Sequence, residues 1–389
     1  MAAHLRRRGG AMTADNRMAG AKPLLVSLQY LRAIAAFMVV YFHAVLQLRL
    51  FAGGRTAFPL IGSGGVDIFF VLSGFMMWFA VEGRATKPGE FLRRRIVRVA
   101  PLYWLVTLAA LAVAGVAPAL LRSTVFDPAH ALASIAFVPW RNPGLAALGA
   151  TETIVPVVVP GWTLNFEMMF YLLFGMTLAA PKRLRIPVLG MLLLGLFVAS
   201  RLASVAVPAF GFYHRDILFE FMIGAMLGAM GLHRRPLSGG IACCIAIAGF
   251  AILLGLELAG IPPVPRLFLY GVPATMILLA ALHAEASGSV AHVSVLNALG
   301  DASFSIYLTH GFVLAALRIV AVRLGLGGDT VSFQAGFILT AIAATAAVGL
   351  AICRIVEQPL IRIVNRLTSP GHGKCRVQAP RMIPDGSLT

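Results

Sequence analysis

Long apolar stretches alternate with short polar connections along almost the whole chain. Ten of these stretches have about the length, roughly 20 residues, that an α-helix needs to cross the hydrocarbon core of a bilayer. The pattern predicts helices at residues 24–47, 62–81, 99–117, 161–180, 186–206, 213–231, 239–258, 266–283, 301–324 and 333–356. The predicted fold class is an all-α polytopic membrane protein, a bundle of about ten transmembrane helices. The apolar stretch 131–140 is too short to span, and we expect it to lie at the membrane surface within a proline-rich connection, 118–160.

Composition and charge agree with a membrane location. The chain is 59% hydrophobic and 12% charged, whereas an ordinary soluble domain is about a quarter charged. A net charge of +17 would suit nucleic-acid binding in a soluble protein. In a membrane protein it reflects the concentration of Lys and Arg in cytoplasmic loops. With the N-terminus inside, most of the 32 Lys and Arg residues fall on the cytoplasmic side, so both termini are predicted to be cytoplasmic and no nucleic-acid partner is expected.

The spacing of the apolar stretches leaves no room for a separate soluble domain. We expect one transmembrane domain, 23–366, between two disordered cytoplasmic tails, 1–22 and 367–389. The first tail is basic and lacks the short apolar core of a cleaved signal peptide. The four cysteines show no metal-ligand spacing, and no metal site is predicted.

Two ionisable residues, Arg32 and His43, lie inside the first predicted helix. At about 100° and ~1.5 Å per residue, their separation of 11 residues returns to nearly the same helix face and spans about 16 Å. Ionisable residues within a membrane helix are costly and commonly mark a functional site. A cation and an imidazole on one stripe suit a long substrate that enters the bilayer part-way. The structural alternative is that Arg32 extends to the membrane surface and His43 bonds a neighbouring helix.

Carboxylates occur in two other predicted helices. Asp67 follows the pair Gly64-Gly65 at the start of the second helix, where the helix dipole alone would favour a negative charge. Near a histidine, the same carboxylate could fix the tautomer of the imidazole. Glu167 is the sole carboxylate of the fourth helix and shares a face with Tyr171, so it is either a site residue or one half of a structural hydrogen bond.

A cluster of arginines precedes the third predicted span. Arg94, Arg95 and Arg98 are separated by three or four residues, which places Arg98 on the same helix face as each of the other two. Planar guanidinium groups are well suited to binding phosphates. The cluster could also serve only to set topology and to contact anionic lipid headgroups.

A polar stripe runs along the ninth predicted helix. Ser303, Tyr307 and His310 follow one another at intervals of four and three residues, so they lie on one face. The stripe could support a site or simply pack by hydrogen bonds against a neighbour. The last predicted helix closes at Glu357-Gln358-Pro359, where the proline suggests a helix stop.

These motifs, taken together over residues 27–365, resemble those of the acyltransferase family 3 integral-membrane proteins, in particular those associated with exopolysaccharide production and O-acetylation. The motifs that carry the resemblance are Leu31-Arg32 followed by His43, the run from Gly64 to Gly74, the arginine-rich segment ending in Pro101-Leu102-Tyr103, Trp162-Thr163-Leu164 with Glu167, Ser303 to His310, and Glu357-Gln358-Pro359.

The resemblance implies an O-acyltransferase of the bacterial inner membrane. Its expected co-substrate is an acyl-CoA, acetyl-CoA first of all, and no cofactor is expected to be permanently bound. The implied acceptor is a hydroxyl of a saccharide, in an exopolysaccharide, a lipopolysaccharide or a lipid-linked precursor. The bilayer is the immediate partner, and a polysaccharide-synthesis complex is a further candidate.

The same residues suggest how the donor and the acceptor would meet. Arg32, Arg95 and Arg98, with Arg94, would bind the donor. His43 would act as the general base, because its ordinary pKa of about 6.5 suits proton transfer near neutral pH. Asp67 or Glu167 would orient the imidazole or bind the sugar. Two other classes stay open: a transporter or flippase of a saccharide or lipid-linked intermediate, and a scaffold of a synthase complex.

Overall fold

The computed structural model describes residues 25–51, 55–117, 124–204, 207, 209–260, 264–327 and 330–368. Within these ranges the regular secondary structure is helical, apart from one isolated antiparallel bridge between Arg141 and Ile154. The predicted all-α class is therefore confirmed for this part of the chain. The predicted tail 1–22 and residues 369–389 of the second tail lie outside the described residues.

The helices match the predicted segments closely in position. In chain order they are α1 Val26–Phe51, α2 Gly65–Val81, α3 Pro88–Val116, α4 Pro128–Ile135, α5 Pro143–Ala147, α6 Trp162–Thr177, α7 Arg185–Ala203, α8 Leu218–Ala229, α9 Gly239–Ala259, α10 Val272–Ala286, α11 Ser294–Asp301, α12 Ser303–Arg323, α13 Val331–Ile352 and α14 Gln358–Thr368. A π-helical turn, Leu267–Gly271, leads into α10, and another, Cys353–Glu357, joins α13 to α14.

Length separates the helices into two groups. Seven helical segments of the described chain are long and apolar enough to cross a membrane. Three predicted spans are helical but shorter, since α2 has 17 residues, α6 has 16 and α8 has 12. At ~1.5 Å per residue they reach about 18–26 Å, less than the ~30 Å of hydrocarbon. The long helices α7 and α9 are largely exposed, as lipid-facing helices would be, whereas α2 is buried along most of its length.

The helix does not stop at Pro359, so that prediction is wrong. The chain passes through the π-helical turn and continues as α14 to Thr368, which places residues 367 and 368 in a helix rather than in a tail. Pro359 is the second residue of α14 and has no backbone N–H to donate to the preceding turn. The wider π turn takes up the change in hydrogen-bond register that the proline imposes.

Helices α2 and α8 cross at very short distance in the centre of the bundle. A Cβ atom on Gly74 would lie 2.0 Å from the carbonyl oxygen of Phe221, and one on Gly224 would lie 1.9 Å from that of Val71. Only glycine permits this approach, as in other close contacts between membrane helices. The crossing brings Phe221 into stacking contact with Phe170 of α6, 4.3 Å between ring centroids, so the three short helices form one aromatic core.

The predicted connection 118–160 is ordered in its described part. His130 on α4 bonds the carbonyl of Val155 through Nε2, at 3.0 Å. The backbone N–H of Asn142 donates to the carbonyl of Thr153, at 2.7 Å, beside the bridge noted above. These bonds fold the connection back on itself and fix the segment around residues 150–160 next to the start of α6.

Candidate active site

Two cavities lie one above the other along α1. The first, which we call the arginine chamber, has an empty volume of about 880 Å³, open solvent included, and its charged lining residues are Arg32, Arg95, Arg98 and Glu167. The second, the histidine chamber, measures about 1310 Å³ on the same basis. Its polar and charged lining residues are His43, Ser63, Glu152, Trp162, His214, Arg215, Asp216, Arg266 and Tyr307.

Val66 and Tyr307 line both chambers and separate them. The Tyr307 hydroxyl lies 3.0 Å from the hydroxyl of Thr163, which lines the arginine chamber. It also donates to the carbonyl of Pro160, at 3.0 Å, which lines the histidine chamber. Tyr307 therefore links a residue that lines one chamber to a residue that lines the other, and we call Val66 and Tyr307 the wall between them.

The two chambers lie at different positions along α1 and α12, and these two helices run in the same direction. Arg32 interacts electrostatically with Asp301, at the end of α11 next to the start of α12, whereas His43 contacts His310 further along α12. From Arg32 to His43 the helix rises about 16 Å. The predicted separation in depth thus corresponds to two different cavities rather than to two ends of one.

His43 has one ring nitrogen occupied and one available. Its Nδ1 lies 2.9 Å from the carbonyl oxygen of Val39, one turn earlier in α1. Because a carbonyl oxygen only accepts, Nδ1 carries the proton, and Nε2 of the neutral ring holds the lone pair. The ring packs against fully buried His310, with 4.8 Å between centroids. The contact brings the end of the predicted polar stripe next to the predicted base.

Glu167 lies in the arginine chamber and not beside His43. Its carboxylate accepts a hydrogen bond from the Ser73 hydroxyl, at 3.1 Å, and another from the Tyr171 hydroxyl, as the four-residue spacing on α6 predicts. Arg95 lies 5.9 Å from the Tyr171 ring centre. The predicted contact between Glu167 and the imidazole is therefore corrected: this carboxylate belongs to a polar group at the level of the arginines.

Asp67 is bound by a residue that the sequence did not single out. Arg266 donates to both oxygens of the fully buried Asp67 carboxylate, from Nε at 2.8 Å and from a terminal nitrogen at 2.6 Å. The Arg266 guanidinium also lies over the Tyr270 ring, 4.3 Å from its centre. Asp67 therefore forms an ion pair in place of the predicted contact with His43, whose tautomer is set by a backbone carbonyl.

The predicted donor-binding arginines divide into two groups. Arg32, Arg95 and Arg98 line the arginine chamber together, although Arg32 comes from α1 and the other two from α3. Arg94 does not line it: its side chain is half-exposed and pairs with Glu90 one turn earlier. The structure therefore places Arg94 outside this cavity, because its side chain leaves α3 in a different direction from that of Arg95, and its part in donor binding stays a prediction.

Two further carboxylates hold the site in shape. Glu257 of α9 accepts hydrogen bonds from the backbone of Gly62 at 2.6 Å, the hydroxyl of Ser63 at 2.7 Å and the backbone of Gly64 at 3.1 Å, just before α2 begins. Glu357, in the second π-helical turn, accepts from the hydroxyl of Ser305 and contributes to the electrostatic environment of Arg32. In the sequence, the signal that could have identified both residues is a carboxylate within an otherwise apolar stretch.

Comparison with known proteins identifies the family of this chain. A protein-family profile described as "acyltransferase domain" matches residues 25–353. The chain is 36% identical over 307 residues to the "Exopolysaccharide production protein ExoZ" of Rhizobium meliloti (strain 1021), covering 78% of this chain and 90% of that protein. It is 27% identical over 382 residues to the "Acyltransferase MdmB" of Streptomyces mycarofaciens, covering 88% and 93%. No solved structure matches significantly. The chain accordingly belongs to acyltransferase family 3 and is an acyltransferase.

Proposed function

We propose that this protein transfers an acetyl group from acetyl-CoA to a hydroxyl of a cell-surface or exported saccharide. The observation that carries the proposal is the position of His43: it lines a chamber other than the one that holds Arg32, Arg95 and Arg98, with Nδ1 bonded to Val39 and Nε2 available. An acyl donor with a phosphorylated nucleotide and a saccharide acceptor need two such differently lined sites. The name of the Rhizobium relative, an exopolysaccharide production protein, supports the choice of a saccharide.

The arginine chamber is the proposed donor site. Three guanidinium groups face one cavity, which matches the charge and the planar geometry of the phosphates of coenzyme A. Because coenzyme A is cytoplasmic, this chamber opens to the cytoplasm, and the chain crosses the inner membrane ten times with both termini inside. The short helices α2, α6 and α8 then complete three crossings within the protein, where their neighbours rather than lipid surround them.

The pantetheine arm of the donor connects the two levels. The rise of about 16 Å from Arg32 to His43 is of the same order as the reach of such an arm. The thioester passes the wall formed by Val66 and Tyr307 and presents its carbonyl carbon in the histidine chamber. Glu167, with Ser73 and Tyr171, lies along this route and positions Arg95 rather than the imidazole.

His43 performs the proton transfer. Its Nε2 removes the proton from the acceptor hydroxyl while the hydroxyl oxygen attacks the thioester carbonyl carbon. The new carbon–oxygen bond forms, the carbon–sulfur bond breaks, and the proton leaves His43 to the coenzyme A sulfur. The carbonyl of Val39 stabilises the intermediate imidazolium, because Nδ1–H donates to it in both protonation states.

Acyl transfer by the purified protein in liposomes tests the proposal. The vesicles are supplied with radiolabelled acetyl-CoA and with polysaccharide purified from a strain that lacks the protein. Label on the polysaccharide supports the enzyme. Movement of unmodified glycan across the membrane without transfer would identify a transporter, and neither result would favour a scaffold; both of these would overturn the proposal.

His43→Gln is the decisive variant for the mechanism, because it keeps a side chain of similar size without a titratable nitrogen. We expect a fall in turnover of at least a hundredfold, the usual contribution of general base catalysis. His292→Ala is the matched control, since His292 is an exposed histidine bonded to Asn297 outside both chambers. Near-normal turnover by His43→Gln in correctly inserted protein would refute the role of His43.

A further inference from the structure

The histidine chamber contains an aromatic ring whose surroundings hold it in place. Trp162, the first residue of α6, packs against Phe70 and Phe166, with ring centroids 6.3 and 6.1 Å apart. It is partly buried and lines the chamber. An indole braced in this way offers a flat apolar surface without losing conformational entropy when a ligand covers it.

A polar pair borders this ring. The Arg215 guanidinium bonds Glu152 at 2.5 Å, with 35% and 71% of the two side chains exposed. The Arg215 guanidinium lies over the Trp162 ring, 5.9 Å from its centre, at the outer limit of a cation–π contact. Glu152 itself is placed by the hydrogen bond between Asn142 and Thr153 that folds its connection back.

From this arrangement we infer that Trp162, Arg215 and Glu152 form the acceptor subsite and that it binds a neutral pyranose ring. The C–H bonds on one face of a pyranose carry partial positive charge and are attracted to the negative face of an indole. The hydroxyls of the sugar both donate and accept hydrogen bonds. A carboxylate can accept from them, and an adjacent guanidinium with further N–H groups can donate to them. The inference rests on the proposed function, because only an acyltransferase has an acceptor.

Charge balance selects a neutral sugar over an acidic one. The two guanidinium groups that line the described part of the chamber are each matched by a carboxylate, Arg215 by Glu152 and Arg266 by Asp67. A uronate or a phosphorylated sugar would lie near the lining carboxylates Glu152 and Asp216, at a cost from like-charge repulsion. A neutral residue of the polysaccharide meets no such penalty.

Separate KM values for the two substrates test the subsite. The protein in liposomes is assayed with acetyl-CoA and with polysaccharide from the strain that lacks it. Trp162→Ala should raise the KM for polysaccharide about tenfold, equivalent to ~1.4 kcal/mol, and leave the KM for acetyl-CoA unchanged. Trp162→Phe should recover most of the loss, because it restores an aromatic face. Trp140→Ala, in the connection that precedes α6 and outside the chamber, is the control.

The outcomes separate this inference from the function on which it rests. Transfer by the wild type with an unchanged polysaccharide KM in Trp162→Ala, or an equal rise in both KM values, overturns the subsite alone. Absence of transfer by the wild type overturns the proposed function as well. Mass spectrometry of the labelled product completes the test: acetyl groups on neutral residues support the inference, and acetyl groups on uronate or phosphorylated residues contradict it.

Discussion

The ion pair between Asp67 and Arg266 allows a test of the role of Asp67. The sequence marks this carboxylate as a site residue, and the test separates a structural role from a catalytic one. The Asp67 carboxylate is fully buried, and Arg266 donates to both of its oxygens at 2.6 and 2.8 Å. Arg266→Ala removes the cation and leaves the carboxylate in place. Loss of one partner of a buried ion pair costs ~3–5 kcal/mol. We expect about 3 kcal/mol here, since 34% of the Arg266 side chain is exposed and water replaces part of its charge stabilisation.

The reverse substitution should cost less. Asp67→Asn leaves Arg266 without its carboxylate, but this guanidinium can turn toward the chamber and be solvated there. We expect a loss of about 1–2 kcal/mol, typical of a charged hydrogen bond. The double variant removes both charges of the pair, so it should be more stable than Arg266→Ala alone.

Thermal unfolding in detergent, followed by size-exclusion chromatography of the heated protein, measures these differences. With ~2 °C per kcal/mol for a large domain, Arg266→Ala should lower the apparent Tm by about 6 °C and Asp67→Asn by about half as much. Turnover per folded molecule is recorded in parallel. Full activity of Asp67→Asn would exclude a catalytic role for Asp67. An unchanged Tm for Arg266→Ala, or a double variant no more stable than it, would refute the reasoning about the pair.

Two further predictions concern packing and the donor. Gly224→Ala would place a Cβ atom 1.9 Å from the carbonyl oxygen of Val71, and since backbone atoms cannot rotate away, α2 and α8 must separate at a cost of ~1–3 kcal/mol. Gly255→Ala on α9, where a Cβ meets open space, is the control. Equal melting temperatures for the two variants would contradict the close crossing. Replacing Arg95 and Arg98 with alanine should raise the KM for acetyl-CoA by at least tenfold while the polysaccharide KM stays constant, whereas an unchanged donor KM would leave these arginines as topology determinants.

The helices and the two site levels could be predicted because each depends on local sequence. An apolar run of about 20 residues is helical wherever it lies in a membrane, and an ionisable residue within such a run stands out. Arg32 and His43 were therefore identifiable on one stripe, and the polar face of Ser303, Tyr307 and His310 followed from helical spacing. The seven long helices of the described chain come from the same signal.

Partners distant in sequence could not be predicted in this way. Arg266 is 199 residues from Asp67 and lies at the start of a π-helical turn, where it resembled any other cation at the end of a predicted span. Helical spacing assigned Arg94 and Arg98 to one face but could not show which face meets the chamber. Pro359 was misread because a local rule for ending helices does not anticipate a π turn that continues the helix.

The wall formed by Val66 and Tyr307 bears on proton leakage across the membrane. With the proposed orientation, one chamber would face the cytoplasm and the other the outside, so part of the membrane potential would fall across the side chains that both chambers share. Each proton that leaked through the wall would release about 2.3 kcal/mol per 100 mV. The hydroxyl of Tyr307, bonded to both Thr163 and Pro160, therefore helps to insulate an energised membrane in which an acyl group must still be let through.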